Sequence, residues 1–279
     1  MQRTVTRKIG AAEISIITDG ATESSADMFP GTERSHIDEV LKSAGGAALE
    51  TNFNALVIRS GGKLILADAG PRDLFGEACG HLHEGLAELG LRPDDFDMLI
   101  ATHLHPDHIA GMITPEGAPV FPKATLHISE ADRAFWTEAT NFAGALSGIA
   151  DWGKLAESVL EAFSDRLHIL PEGGEVAPGL TTIALAGHTP GHVGWRLDSG
   201  GQSLIHVGDI VHVPALQITD PEIGISFDID MDAARETRKA LLDQIASDGT
   251  LFTGGHMLNP AFNKLERHGK GYRLHPGTS

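Results

Sequence analysis

The chain has 279 residues, 41% of them hydrophobic and 21% charged, enough apolar material for a sizeable core in one large domain or two small ones. Its 38 acidic against 21 basic residues give a formal charge of −17. That argues against nucleic acid as a partner, since neutralising phosphates takes clustered Lys and Arg, and fits a solvated acidic surface. Cys79 is the only cysteine, which excludes an intramolecular disulfide and a thiolate zinc cluster. No apolar run is long enough to span a membrane, and Met1–Arg7 has no apolar leader core, so the expected compartment is cytoplasmic.

Glu13–Thr18 alternates as a strand, with Asp19-Gly20 read as the turn after it. Ala21–Gly31 has little periodicity and reads as a surface loop or as a flap over a pocket. Ser35 is placed to cap a short helix through Lys42. Phe53–Ile58 and Lys63–Ala67 flank Arg59-Ser60-Gly61-Gly62 and predict a hairpin. The second run ends at Asp68, a carboxylate that needs a partner, either a turn or a metal-bound imidazole held from behind. His81 and His83 open a helix ending near Gly90. Leu82, Leu86 and Leu89 form its apolar face, and the two histidines lie off it, so they are not counted as ligands.

Asp97–Ala101 predicts a short buried strand, followed by Thr102-His103-Leu104-His105-Pro106-Asp107-His108. Three imidazoles and a carboxylate in six positions are costly to desolvate without a cation. His103 and His105 sit at strand spacing and point the same way. Pro106 ends the ladder, and Asp107 and His108 face a second point. The pattern predicts two adjacent metal sites. Imidazole and carboxylate without thiolate suit zinc, with iron, manganese or cobalt as alternatives.

Ala124–Ile128 reads as a strand, and Ser129 as the cap of a helix containing Trp136. Asn141–Trp152 is irregular and reads as pocket wall, and Lys154–Phe163 returns to helix. Leu180–Leu185 predicts a strand ending in Ala186-Gly187-His188-Thr189-Pro190-Gly191-His192. Val193–Leu197 and Ser203–Val207 form another strand pair, the latter ending at Gly208-Asp209. A helix spans about 232–245, and Thr250–Thr253 leads to Gly254-Gly255-His256. Strand ends thus add His188, Asp209 and His256 to the first run. Five histidines and two aspartates suffice for two ions, one bridging carboxylate and a bridging water. The glycines beside the later ligands allow close backbone approach. His192 and His212 are read as partners behind the ligands rather than as direct catalysts. Phe29, Trp136, Phe142, Trp152, Leu216 and Met257 are the substrate-pocket candidates, each with ordinary core packing as its alternative. No Pro/Ser/Gly linker divides the chain. It reads as one α/β (α+β) domain over 1–279, with β-rich halves of about 1–165 and 166–279.

The Thr-His-Leu-His-Pro-Asp-His run, Gly187-His188-Thr189-Pro190-Gly191-His192, Gly208-Asp209 and Gly255-His256 resemble the metallo-β-lactamase superfamily, with Asp19-Gly20 and Asp68-Ala69-Gly70 matching its early landmarks. The resemblance implies a four-layer αββα sandwich. It also implies a two-metal site in which His103, His105 and His188 hold one ion, Asp107, His108 and His256 the other, and Asp209 bridges. Asp209 argues against the true β-lactamase branch. His105, where flavodiiron proteins carry Glu, argues against an oxygen-reducing di-iron protein. The segments Asp209–Gln217, Asp220–Glu222, Asp228–Arg238 and Gly269–Arg273 are similar to methyl parathion hydrolase and related lactonase/arylesterase proteins. That similarity implies a hydroxide shared by two divalent ions, zinc first, attacking a lactone, aryl ester or organophosphate ester, with Asp107 and Asp209 in catalytic roles. A glyoxalase II-like thioesterase and a mononuclear iron persulfide dioxygenase-like enzyme are the alternatives. The expected partner is a small-molecule ester or lactone, not nucleic acid or membrane, and a homodimer is left open.

Overall fold

The computed structural model describes residues 2–142, 148–259 and 261–277. Two seven-stranded sheets, each in chain order, make up its centre. The first contains β1 (Thr4–Ile9), β2 (Ala12–Glu23), β3 (Glu50–Ser60), β4 (Lys63–Ala67), β5 (Met98–Ile100), β6 (Thr125–Ile128) and β7 (Leu167–Ile169). Its first four strands are antiparallel neighbours, and those from β4 to β7 are parallel. The helix α1 (Arg34–Ser43) joins β2 to β3. Parallel neighbours require crossovers, here carrying α2 (Leu82–Glu88), then α3 (Pro106–Ile109), then α4 (Glu130–Trp136) and α5 (Ile149–Ala162). The second sheet holds β8 (Glu175–Ala177), β9 (Leu180–Ala184), β10 (Val193–Ser199), β11 (Gln202–His206), β12 (Leu251–Thr253), β13 (Asn263–His268) and β14 (Gly271–Pro276). It is antiparallel except for β11 and β12, which are parallel across a crossover carrying α6 (Pro214–Gln217) and α7 (Met231–Asp248).

Side-chain alternation along the strands separates the layers. Ile14, Ile16, Leu56, Ile58, Ile65 and Ala67 face the second sheet and pack with Trp195, Leu197, Leu204 and Phe252. Ile17, Ala55, Val57, Leu64 and Leu66 face the other way, against Leu82 and Leu86 of α2 and Ala156 and Val159 of α5. On the far side Leu241, Leu242 and Ile245 of α7 join the second sheet's core. The order of layers is therefore helix, sheet, sheet, helix. A smaller cluster caps one end, where Ile37 and Val40 of α1 meet Phe29, Val213, Leu216 and Ile225.

The expected hairpin is β3–β4, turned by Gly61 and Gly62 at φ +57° and +78°, the two-residue turn that needs positive φ at both centres. Ser129 caps α4 by accepting the N–H of Asp132. Other local expectations are corrected. Asp19-Gly20 is not a turn: β2 runs on to Glu23 with an irregular register between Thr18 and Gly20, and a bulge of this kind bends a strand without ending it. Ser35 lies inside α1, whose N-cap is Glu33 without a side-chain cap. Strand β5 stops at Ile100, so His103 and His105 belong to the loop beyond it. Pro106 occupies the first turn of α3, where its missing N–H costs nothing. Trp152 is helical, in α5. The middle of the expected irregular wall, 143–147, falls outside the described residues.

Candidate metal centre

The cluster forms where strand ends of both sheets meet. The loop after β5 and the start of α3 deliver His103, His105, Asp107 and His108. The loops after β9, β11 and β12 deliver His188, Asp209 and His256. Six of the seven are buried, and Asp107 is half-buried. Two groups have donor atoms close enough to share an ion: His103, His105 and His188, and Asp107, His108, Asp209 and His256. A third set, His188, Asp209 and His212, overlaps both. Asp209 lies between the groups. Its Oδ2 is 2.8 Å from His256 Nε2, 3.0 Å from His108 Nε2, 3.7 Å from His188 Nε2 and 3.8 Å from His103 Nε2.

Four of the five rings are fixed from outside. Asp68, at φ +59°, accepts the Thr102 N–H at Oδ1, and at Oδ2 the Thr102 hydroxyl and His108 Nδ1–H at 2.9 Å. A non-glycine residue in the left-handed region is strained, and here it puts one carboxylate behind two site residues. His103 Nδ1 lies 3.1 Å from the Thr102 hydroxyl oxygen, His188 Nδ1 donates to Asp228, and His256 Nδ1 donates to Asn52 O. With these Nδ1 atoms turned outward, the Nε2 atoms of His103, His108, His188 and His256 point inward. His103 and His188 bring theirs within 3.2 Å of one another, two lone pairs face to face if both rings are neutral. His105 Nε2 and Asp209 Oδ1 are buried with no hydrogen-bond partner. Divalent cations would satisfy the facing His103 and His188 nitrogens and Asp209 Oδ1 together, and an imidazole/carboxylate set without thiolate is the donor chemistry zinc accepts.

Charge follows the grouping. Burial, reinforced by neighbouring imidazoles, pushes the His103 and His105 pKa values well below the ordinary histidine value. His108 is also desolvated, but Asp209, Asp107 and Asp68 outweigh burial and lift it well above that value, and His256 is raised by Asp209. Asp107 would be raised by burial, yet His108 and His256 bring it down to about 2. Burial likewise opposes ionisation of Asp209, and the surrounding imidazoles hold its pKa well below the carboxylate range.

His192 is not free to bind an ion. Its Nδ1 donates to Leu185 O at 3.1 Å and its Nε2 accepts the Asp209 N–H at 2.9 Å, so it holds the backbone of Asp209. His212 lies 3.5 Å from Asp209 Oδ2, stacks on His256 and keeps a buried Nδ1 without a partner. The glycine beside His256 is sterically required: a Cβ on Gly255 would stand 2.5 Å from Asp209 Oδ1 and 3.0 Å from His108 Cε1.

Beside the cluster a cavity of about 150 Å³ is walled by Met28, Phe53, Phe75, Trp152, Ile225 and Phe227, with Glu23 and Ser24 also in its lining and Asp107, Asp209, His212 and His256 at its polar end. Trp152 is the one pocket candidate from the sequence that lines it. The others are corrected. Phe29 and Leu216 fill the cap cluster, Met257 is core, and Trp136 is core with Phe142 stacked on it at 5.4 Å. Each is a large apolar residue, but its side chain turns into a packed layer. Phe53 and Phe227 were missed: one sits in a strand read as core, the other in a stretch without periodicity.

The family model of the Metallo-beta-lactamase superfamily matches residues 51–256, and the chain belongs to that superfamily. The crystal structure of a hydrolase, AbOPH, in the beta lactamase superfamily is 28% identical and superposes with a TM-score of 0.91, covering 100% of this chain and 99% of that one. The structure of AidC, a dizinc quorum-quenching lactonase in complex with a product, is 24% identical with a TM-score of 0.92 over 100% and 99% of the two chains, a likeness of fold. A ribonuclease of Thermus thermophilus is 27% identical over 236 residues, 78% of this chain. The chain spans 50% of that relative's length. Among the described residues no helix is long and apolar enough to cross a membrane.

Proposed function

We propose that the protein is a dinuclear metal-dependent hydrolase of small neutral esters, the class that includes lactones, aryl esters and phosphotriesters. The observation that carries this reading is the opening of a two-group His/Asp cluster, with Asp209 shared, onto an apolar cavity. At about 150 Å³ the cavity has the size that holds a benzene-sized group, as known apolar cavities do. Divalent ions, zinc first among them, would be held by the two groups sharing Asp209 and would there supply a water ionised near neutral pH and a Lewis acid for the ester oxygen. The chain's own residues do the rest. Asp107, lowered to about 2, is ionised at neutral pH and lines the cavity. It accepts a proton at its carboxylate and returns it to the leaving oxygen. His192 and Asp68 fix the backbone and rings around it. Phe53, Trp152 and Phe227 exclude water and hold the apolar arm of the substrate. The similarity of the C-terminal segment to lactonase/arylesterase proteins, and the 28% identity to a hydrolase, support the same class.

A second reading, ribonuclease, has the Thermus thermophilus relative behind it. The charge of −17, Glu23 in the lining and the apolar wall all disfavour a polyanion. The test is a panel of homoserine lactones, p-nitrophenyl esters, a phosphotriester, S-lactoylglutathione and a single-stranded RNA, run with zinc, manganese and cobalt. The expected result is about two ions per chain and turnover of the neutral esters. RNA cleaved in preference to every ester, or a single iron with oxygen consumed on a persulfide, would overturn it.

A further inference from the structure

Asp132 is outside the cluster, on α4, and only 1% exposed. Its Oδ2 accepts the Leu104 N–H at 2.9 Å, and its Oδ1 accepts the Gly191 N–H at 2.7 Å. Leu104 stands between His103 and His105. Gly191 stands between His188 and His192. One carboxylate therefore ties the loop of the first sheet, between His103 and His105, to the loop of the second, three residues after His188 and next to His192. Asp132 is itself anchored, because its own N–H is accepted by the Ser129 hydroxyl that caps the helix. The approach of the second loop is close: a Cβ on Gly191 would stand 2.0 Å from Ser129 Oγ and 2.3 Å from Asp132 N. A backbone bond from the Val193 N–H to Thr102 O at 2.9 Å ties the same two loops a second time, at the residue before His103 and the residue after His192, but reaches neither His105 nor His188.

We propose that Asp132 is a positioning residue that sets the separation of His103 and His105 from His188, and with it the affinity of that group for a divalent cation. The proposal rests on the reading of the cluster as a two-ion centre. The second group is fixed by other partners: Asp68 behind His108, Asn52 behind His256 and His192 behind the backbone of Asp209. Asp68 and Asn52 bond neither Asp132 nor the residues it holds, and only His192, next to Gly191, connects that group to it, so removing Asp132 acts first on His103, His105 and His188. An ionised carboxylate accepts both N–H groups. In Asp132→Asn one oxygen still accepts, but the amide nitrogen faces an N–H and that tie is lost.

Zinc alone, titrated calorimetrically into the metal-free full-length chain, tests this. In Asp132→Asn one of the two binding events is expected to weaken about 10–100-fold, the range seen when partners behind metal ligands are removed. The other is expected to stay within about threefold of wild type. Asp132→Ala, which loses both ties, should weaken the same event further. Thermal unfolding of the metal-free variants checks the fold, and Asn, matching Asp in shape, is the variant that keeps it. Two events weakened equally in folded Asp132→Asn, or neither changed, would overturn the role of Asp132. Wild-type protein that takes up fewer than two zinc ions would instead overturn the two-ion reading beneath it.

Discussion

The His103/His105/His188 group and the Asp107/His108/Asp209/His256 group lie side by side but are built from different chemistry. The first has three imidazoles and no carboxylate of its own. The second has two imidazoles and two carboxylates, with Asp68 behind them. Burial acts on both, yet the results are opposite in sign: it lowers the pKa values of His103 and His105 in the first group, while the carboxylates of the second raise those of His108 and His256. Neutral rings can be left without a cation at the cost of facing lone pairs. Buried carboxylates cannot, because an uncompensated buried charge is far more expensive. The second group is thus the charge anchor of the centre, and Asp209 connects it to the first.

The largest effect should come from removing that connection. Asp209→Ala is expected to lose bound metal and ester hydrolysis together, with activity falling by at least on the order of 10³-fold, since the ions supply the attacking water. Metal analysis and kinetics on the same preparation check this. Activity at the wild-type rate would break both the comparison and the dinuclear mechanism.

The opposite signs give a pH test in metal-free protein. Burial lowers His192 to about 3 and His206 to about 4 from an ordinary 6.5. Between these limits the unfolded chain binds protons that the folded chain does not, so their effect is a loss of stability as pH falls below 6.5. His108 and His256 are raised, so their contribution is fully present below pH 6.5 and is lost as pH rises through their folded values. Denaturant titrations in the presence of chelator should therefore show stability declining from pH 6.5 toward 4, and a separate decline on the alkaline side. A profile flat across both windows would contradict the lowered pKa values of His192 and His206 behind the centre and the raised ones of His108 and His256 within it.

How much of this could be read from the sequence differs between the same regions. The cluster was legible because four donors in six residues have no ordinary structural explanation, and because His188, Asp209 and His256 repeat a glycine-flanked pattern at predicted strand ends. The β3–β4 hairpin and α7 were legible from alternation and from the apolar positions Leu241, Leu242 and Ile245. The short strands β7 and β8, and the β13–β14 hairpin at the sheet edge, were not. Lys264, Glu266 and Arg267 are exposed, and such strands are held by pairing rather than by a buried face. The cavity wall was the least legible part. Met28, Phe53, Phe75, Trp152 and Phe227 come from five separate segments, and an apolar residue that faces a cavity has the same local signature as one that faces the core. Asp132 left no signal, because its role depends on two loops distant in sequence.

A smaller effect concerns that wall. Trp152 lines the cavity from α5 and touches both His105, at a ring distance of 5.1 Å, and Phe227, at 6.2 Å. Trp152→Ala removes apolar contact with the substrate arm and leaves the ring tautomers of the cluster alone. Losing about 1.5–3 kcal/mol of side-chain burial should raise KM for an aryl or acyl ester about tenfold or more, with kcat within about threefold. A substrate without an apolar arm should be nearly unaffected, and equal losses on both substrates would show that Trp152 supports the cluster rather than the pocket.

The smallest effect is expected where histidines are as dense in sequence as in the cluster but differ in burial. His81 and His83 begin α2. His83 is exposed, and His81 Nδ1 has Glu84 as a surface partner at 3.2 Å. Neither belongs to any group of donors close enough to share an ion among the described residues. A hydrated imidazole loses nothing when no cation is near, whereas the rings of His103 and His188 are desolvated and face each other. Spacing is shared between the two places and desolvation is not. The double variant His81→Ala/His83→Ala should therefore keep its metal content and its ester hydrolysis, with stability within about 0.5 kcal/mol of wild type, as for surface substitutions generally. A metal analysis showing that this variant has lost an ion would mean that density of histidines, and not their burial, selects the ligands.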